Sequence, residues 1–122
     1  MRLDARTIGW AARRKISAET LRAMSVGAEQ VRFGERNLPA IVFNYTDAAG
    51  QTVNWKARPL NEKDYRQQPN GTQQFYNQAA VLSGPLDEVY ITEGEMDALA
   101  LVEAGIPVHS VLSVVGGAPA AR

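Results

Sequence analysis

The sequence predicts an α+β fold: a small antiparallel sheet with a short helix, followed by a βαβ unit. Three observations predict it. From Gln30 onward the apolar residues alternate instead of recurring at helical spacing. Two alternating runs flank Asp47-Ala-Ala-Gly50, a turn in which glycine can take a positive φ. After Pro85, an apolar run, a segment rich in Ala and Leu and a second apolar run follow each other, the order of a right-handed strand–helix–strand unit.

Residues 1–16 carry Arg2, Arg6, Arg13, Arg14 and Lys15 with few apolar anchors. They read as an exposed basic arm, helical in part around Trp10. Ser17 has the chemistry of an N-cap, with Glu19 near the positive helix end. Leu21 and Met24 continue at helical spacing and Gly27 can supply a left-handed C-terminal cap, so a helix is expected over 18–26. Ile41, Phe43 and Tyr45 form one face of a strand, and Val53, Trp55 and Ala57 one face of the next, with Val31–Phe33 as a neighbour. The outward face of the second strand then carries Asn54, Lys56 and Arg58. Residues 59–72 are polar and turn-rich, with Lys63 and Arg66 bracketing Tyr65, a combination that suits the phosphates and bases of a nucleic-acid strand. A further short strand is expected over Gln74–Asn77. The last part reads as a strand at Glu88–Thr92, a helix at Glu95–Ala104 capped by Gly105, and an apolar strand at His109–Val115 that ends at Gly116-Gly117. Three segments result: 1–16, 17–84 and 85–122.

The chain has 122 residues, enough for one modest domain or two small subdomains sharing a core. It has no cysteine, which excludes disulfides, thiol catalysis and cysteine-ligated zinc, and its single histidine cannot build a multi-histidine metal site. No apolar run is long enough to cross a bilayer, and the basic N-terminus lacks the apolar centre of a signal peptide, which predicts the cytoplasm and no membrane partner. The net charge of zero hides a division. Residues 1–80 hold 12 Lys and Arg against 7 Asp and Glu, and residues 81–122 hold 1 against 6. A basic half beside an acidic half suits phosphate attraction next to metal binding, although two solvated faces of opposite sign would look the same.

The most informative stretch is Val89-Tyr-Ile-Thr-Glu-Gly-Glu-Met-Asp-Ala-Leu-Ala100. It places Glu93 at the carboxyl end of a strand, where open α/β sheets put their ligand sites. A carboxylate there can hold a divalent metal or move a proton; an acidic residue that merely favours a helix N-terminus is the structural alternative. His109, Trp10 and Trp55 read as structural residues.

This stretch resembles the first motif of the Toprim domain, the metal-binding module of bacterial-type primases, topoisomerases and some nucleases. With Glu103-Ala-Gly105 and Ser113-Val-Val-Gly-Gly-Ala-Pro119 it is most similar to phage primase-helicases and the related mitochondrial replicative helicase. Val53-Asn-Trp-Lys-Ala-Arg58, Lys63-Asp-Tyr-Arg-Gln67 and Phe75-Tyr-Asn77 resemble the basic strand and following segments of the same proteins, so that the resemblance covers roughly 17–119. It implies a primase basic, polymerase-type subdomain over 17–84 and the first half of a Toprim-like α/β fold over 85–122.

Carried over by residue, the resemblance implies that Glu93 serves the metal site or acts as general acid/base. Asp97 is a further metal-site candidate. Lys56, Arg58, Lys63 and Arg66 would contact template or nucleotide, and Gly94, Gly116 and Gly117 would form turns of the motif. The implied parent is a DNA primase that joins ribonucleoside triphosphates on a single-stranded DNA template with magnesium or manganese, in a bacterial or phage-infected cell, in company with a replicative helicase domain. A third strand with an Asp-x-Asp pair, the main magnesium ligands of the family, would begin after Arg122. The chain alone is therefore expected to bind no metal tightly and to be catalytically silent. The alternatives are a non-catalytic remnant that binds single-stranded nucleic acid and a fragment of a Toprim nuclease.

Overall fold

Strand alternation begins at Val26 and builds a four-stranded antiparallel sheet in the order β1-β2-β3-β4. The strands are β1 (Val26–Phe33), β2 (Arg36–Thr46), β3 (Thr52–Pro59) and the short edge strand β4 (Arg66–Gln67). The structure is a computed structural model, and it describes residues 2–85 and 87–114. The β2–β3 turn forms where expected. Asp47 Oδ1 accepts hydrogen bonds from the Ala49 and Gln51 amides, both at 2.9 Å, and Gly50 takes φ 85°.

Two helices precede the sheet. In α1 (Ala5–Ala12), Asp4 caps the start by accepting from the Thr7 amide at 2.8 Å. Thr7, Trp10 and Ala11, spaced as one helical face, are buried. The N-terminal segment is therefore not an exposed arm. Its five cations are exposed, Arg6 within α1 and the others on its flanks, while Trp10 enters the main core and donates from Nε1 to the Leu60 carbonyl at 2.8 Å. In α2 (Ala18–Ala23), Ser17 is the N-cap, its Oγ accepting from the Thr20 amide at 3.2 Å. Gly27 does not cap this helix. It lies within β1, and the left-handed position at the helix exit falls to Ser25, φ 60°.

Gln74–Asn77 is not a strand of its own. Tyr76 alone makes an antiparallel bridge, to Ser113, and Asn77 turns left-handed into an unforeseen helix, α3 (Gln78–Leu82). Then come β5 (Tyr90–Thr92), α4 (Glu95–Glu103), a 3₁₀ turn (Val108–Ser110) and β6 (Val111–Ser113). The strands β5 and β6 pair in parallel, Tyr90 with Val111 and Thr92 with Ser113, with α4 between them in sequence. Gly105 ends α4 at φ 110°, a conformation that favours glycine. His109 sits exposed in the 3₁₀ turn and does not begin the strand, because Pro107 precedes a one-turn detour.

One apolar cluster holds both parts together. Trp10, Leu21 and Met24 of the N-terminal helices and the segments that follow them pack with Ile41, Phe43 and Tyr45 of β2, Tyr76, Leu99 of α4 and Val111 of β6. Tyr76 is central: its ring meets Phe43 edge-on at 5.9 Å and Tyr45 at 5.3 Å, and its hydroxyl donates to the Met24 carbonyl. A second contact spans the molecule. Glu103 Oε1 at the end of α4 accepts from the Ser17 amide (2.9 Å), Ser17 Oγ (3.0 Å) and Thr20 Oγ1 (2.6 Å), completing the cap of α2. The opposite face of the sheet carries a smaller cluster, Phe33, Ala40, Val42 and Ala57 with Val31, Leu38 and Trp55 against it.

Candidate functional site

The register of the β2–β3 hairpin decides where the basic row points. Ile41 opposes Arg58, Phe43 opposes Lys56 and Tyr45 opposes Asn54. Directly opposed residues of an antiparallel pair share a face. Asn54, Lys56 and Arg58 therefore lie on the helix-covered side with the core residues of β2, and Val53, Trp55 and Ala57 on the other. The outward placement expected for the basic row is corrected. Asn54 and Lys56 are 1% and 4% exposed, and Arg58 is half-buried.

A buried ammonium needs an anion. Lys56 Nζ finds Glu95 Oε1 at 3.2 Å, with both side chains about 5% exposed or less. Tyr45, fully buried, donates its hydroxyl to Glu95 Oε2 at 2.6 Å. Tyr76, also fully buried, is pushed well above the usual phenol pKa, by burial first and then by the Glu95 charge, so it stays protonated. The ring of Tyr65 lies against the same ammonium, 4.3 Å from Nζ to its centroid. Lys56 and Glu95 thus join the sheet to the first turn of α4.

Glu93 lies two residues before that helix. The Glu93 side chain is exposed, just past the carboxyl end of β5. Thr92 steadies the turn by donating from Oγ1 to the Gly94 carbonyl at 2.9 Å. Gly94 is the N-cap with φ −138° and ψ 155°, extended values open to any residue, and a Cβ there would meet nothing closer than Asp97 Oδ2 at 3.7 Å. The strand-to-helix turn at this glycine therefore uses a backbone conformation that does not require glycine. Asp97 is exposed in the first turn of α4, where it favours the helix dipole. Among the described residues, no group of three or more His, Cys, Asp and Glu stands close enough to hold a metal ion. Glu93 and Asp97 by themselves do not fit a divalent cation, which takes several oxygen ligands. Gly116 and Gly117 lie outside the described residues.

The remaining cations divide. Arg58 approaches Trp10 at 5.2 Å from the ring centroid, and Arg14 covers the same ring at 3.7 Å. The Arg14 guanidinium is held below its ordinary pKa by desolvation first, then by the charges of Arg58 and Arg13. Two like charges therefore gather at one indole, and among the described residues neither is in an ion pair. Arg66 is not with them. It opposes Ala57, so it points to the other sheet face, where Nη1 donates to the Arg32 carbonyl at 3.0 Å. Lys63 is exposed in the loop before β4.

Sequence reasoning missed Glu95, Tyr45 and Arg14. For the first two, the deciding feature is the register of the β2–β3 hairpin. In the hairpin Thr46 pairs with Thr52, and a register shift between Tyr45 and Thr46 then sets Tyr45 opposite Asn54 and Phe43 opposite Lys56. That shift turns Lys56 to the core face, where its ammonium needs a buried carboxylate.

No protein-family model matches the chain, and no curated relative does. Solved structures match closely. The primase fragment of the bacteriophage T7 primase-helicase protein aligns over 90% of this chain and 43% of its own length, with a TM-score of 0.70 and 26% identity. The DnaG catalytic core aligns over 95% and 49%, with a TM-score of 0.70 and 19% identity. A DNA primase domain from Pseudomonas aeruginosa aligns over 92% and 48%, with a TM-score of 0.68 and 19% identity. The chain spans about half the length of these structures. Its fold is that of the Toprim/primase catalytic core, an antiparallel four-stranded sheet with helices and a βαβ region. Among the described residues no helix is long and apolar enough to cross a membrane.

Proposed function

We propose that this chain is part of a DNA primase of the phage primase-helicase type, which synthesises RNA primers on single-stranded DNA. One observation carries the reading: the buried Lys56–Glu95 pair makes the basic strand and the Glu93 turn a single unit. The match to primase cores over nine-tenths of the chain supports it. In this reading Arg58, with Arg14 beside it, attracts phosphate, and Lys63 extends the positive field. Glu93 is the exposed carboxylate nearest the strand end and serves as general acid/base, or as one contributor to a metal centre of the longer enzyme. Lys56 works from within, holding the Glu93 turn against the sheet.

Binding of a single-stranded oligonucleotide by the 122-residue chain tests the reading. Affinity should fall steeply with salt. Arg58→Ala should weaken it, whereas Glu93→Gln should leave it intact. In a polypeptide extended to the length of a complete primase core, Glu93→Gln should abolish primer synthesis. Binding that ignores both salt and Arg58→Ala, or primer synthesis that survives Glu93→Gln, would refute it. The chain of 122 residues should make no primers by itself with magnesium and ribonucleotides.

A further inference from the structure

Tyr65 is the most exposed aromatic ring among the described residues, with half of its surface open. An exposed aromatic residue is ordinary by itself. Two features set this one apart. The ammonium of Lys56 lies over the ring at 4.3 Å, and Lys56 is itself buried and anchored on Glu95 at 3.2 Å. The chain directly after Tyr65 is locked by the β3–β4 ladder, in which Arg66 opposes Ala57 and Gln67 opposes Lys56. Strand alternation puts Tyr65 on the same side as Gln67, hence on the side of Lys56. The ring is thus seated on a fixed cation and keeps a solvent-facing surface. Holding it there in advance lowers the ordering cost of binding a flat ligand. Lys63, two residues earlier, is exposed and adds positive charge to the same segment.

We propose that Tyr65 is a nucleobase-stacking platform, taking the base of a single strand or of a nucleotide on its open surface. The inference rests on the functional reading above and deepens it. Stacking on an aromatic ring tolerates any base, because each has a π-face, so no sequence preference is expected from it.

The test compares a short oligothymidylate, an abasic strand with the same number of phosphates and a purine ribonucleoside triphosphate, each titrated against the 122-residue chain. Tyr65→Ala should weaken oligothymidylate binding about tenfold. It should leave abasic-strand affinity and the salt dependence unchanged, since no phosphate contact is removed. Tyr65→Phe should bind as wild type does, and Tyr65→Leu, with bulk but no π-face, should behave like the alanine variant. Weakening confined to the triphosphate would assign the base to the nucleotide and also support the platform. Unchanged affinity of Tyr65→Ala for both base-containing ligands, or loss in Tyr65→Phe equal to that in Tyr65→Ala, would overturn the inference while leaving the functional reading in place. Failure of the wild-type chain to bind any of the three would overturn both.

Discussion

Lys56 and Glu95, 39 positions apart in sequence, meet as an ion pair at 3.2 Å with almost no solvent exposure. Burying two charges is costly, and the pair offsets that cost only while both members are present. Removing one partner, as in Glu95→Leu or Lys56→Met, is expected to destabilise the fold by roughly 3–5 kcal/mol in urea denaturation. The double variant Lys56→Met/Glu95→Leu should recover most of that loss. Additive losses in the double variant would show that the two groups do not interact.

Trp10 carries the second prediction. It is 3% exposed and its indole N–H is bonded to Leu60 across the core. Trp10→Ala should cost about 3–5 kcal/mol, measurable by thermal or chemical unfolding. A dispensable arm would lose nothing.

The arginines around Trp10 should report on phosphate contact. If Arg14 and Arg58 each neutralise one phosphate of a single strand, Arg14→Ala/Arg58→Ala lowers the slope of log affinity against log salt by about 1.4. An unchanged slope in that double variant would remove both residues from the phosphate contacts.

Acid should loosen the joint between α2 and α4. The Glu103 carboxyl is held below its ordinary value of 4.5, chiefly by the Ser17 amide and then by the Thr20 and Ser17 hydroxyls. A carboxyl whose pKa is depressed on folding contributes stability above its unfolded value and loses it as pH falls through the folded one. The Glu103→Gln variant should therefore show a shallower loss of stability below about pH 4.5 than the wild-type chain. Parallel acid limbs for the two proteins would argue against this role.

Much of the architecture was legible from local rules. Ser17 caps a helix because its side chain can accept an amide, and the Asp47–Gly50 turn and the parallel β5–β6 pair form where alternation and turn chemistry put them. The misses share one origin, which is tertiary context. Trp10 stands among five cations, and only its spacing with Thr7 and Ala11 hinted at a buried helix face. The helix α3 is five residues long with no side-chain cap, too short for periodicity to reveal. Glu95 looked like one more acid of a helical first turn until the sheet register brought Lys56 to it.

The cap shared by Ser17 and Glu103 also sets an order of events during synthesis. Its two halves are 86 positions apart, so α2 leaves the ribosome long before the carboxylate that completes it has been made. A six-residue helix is not stable alone in water. The cap of α2 is therefore completed only once α4 has been made, whereas its apolar partners on β2 are present from the first half of the chain.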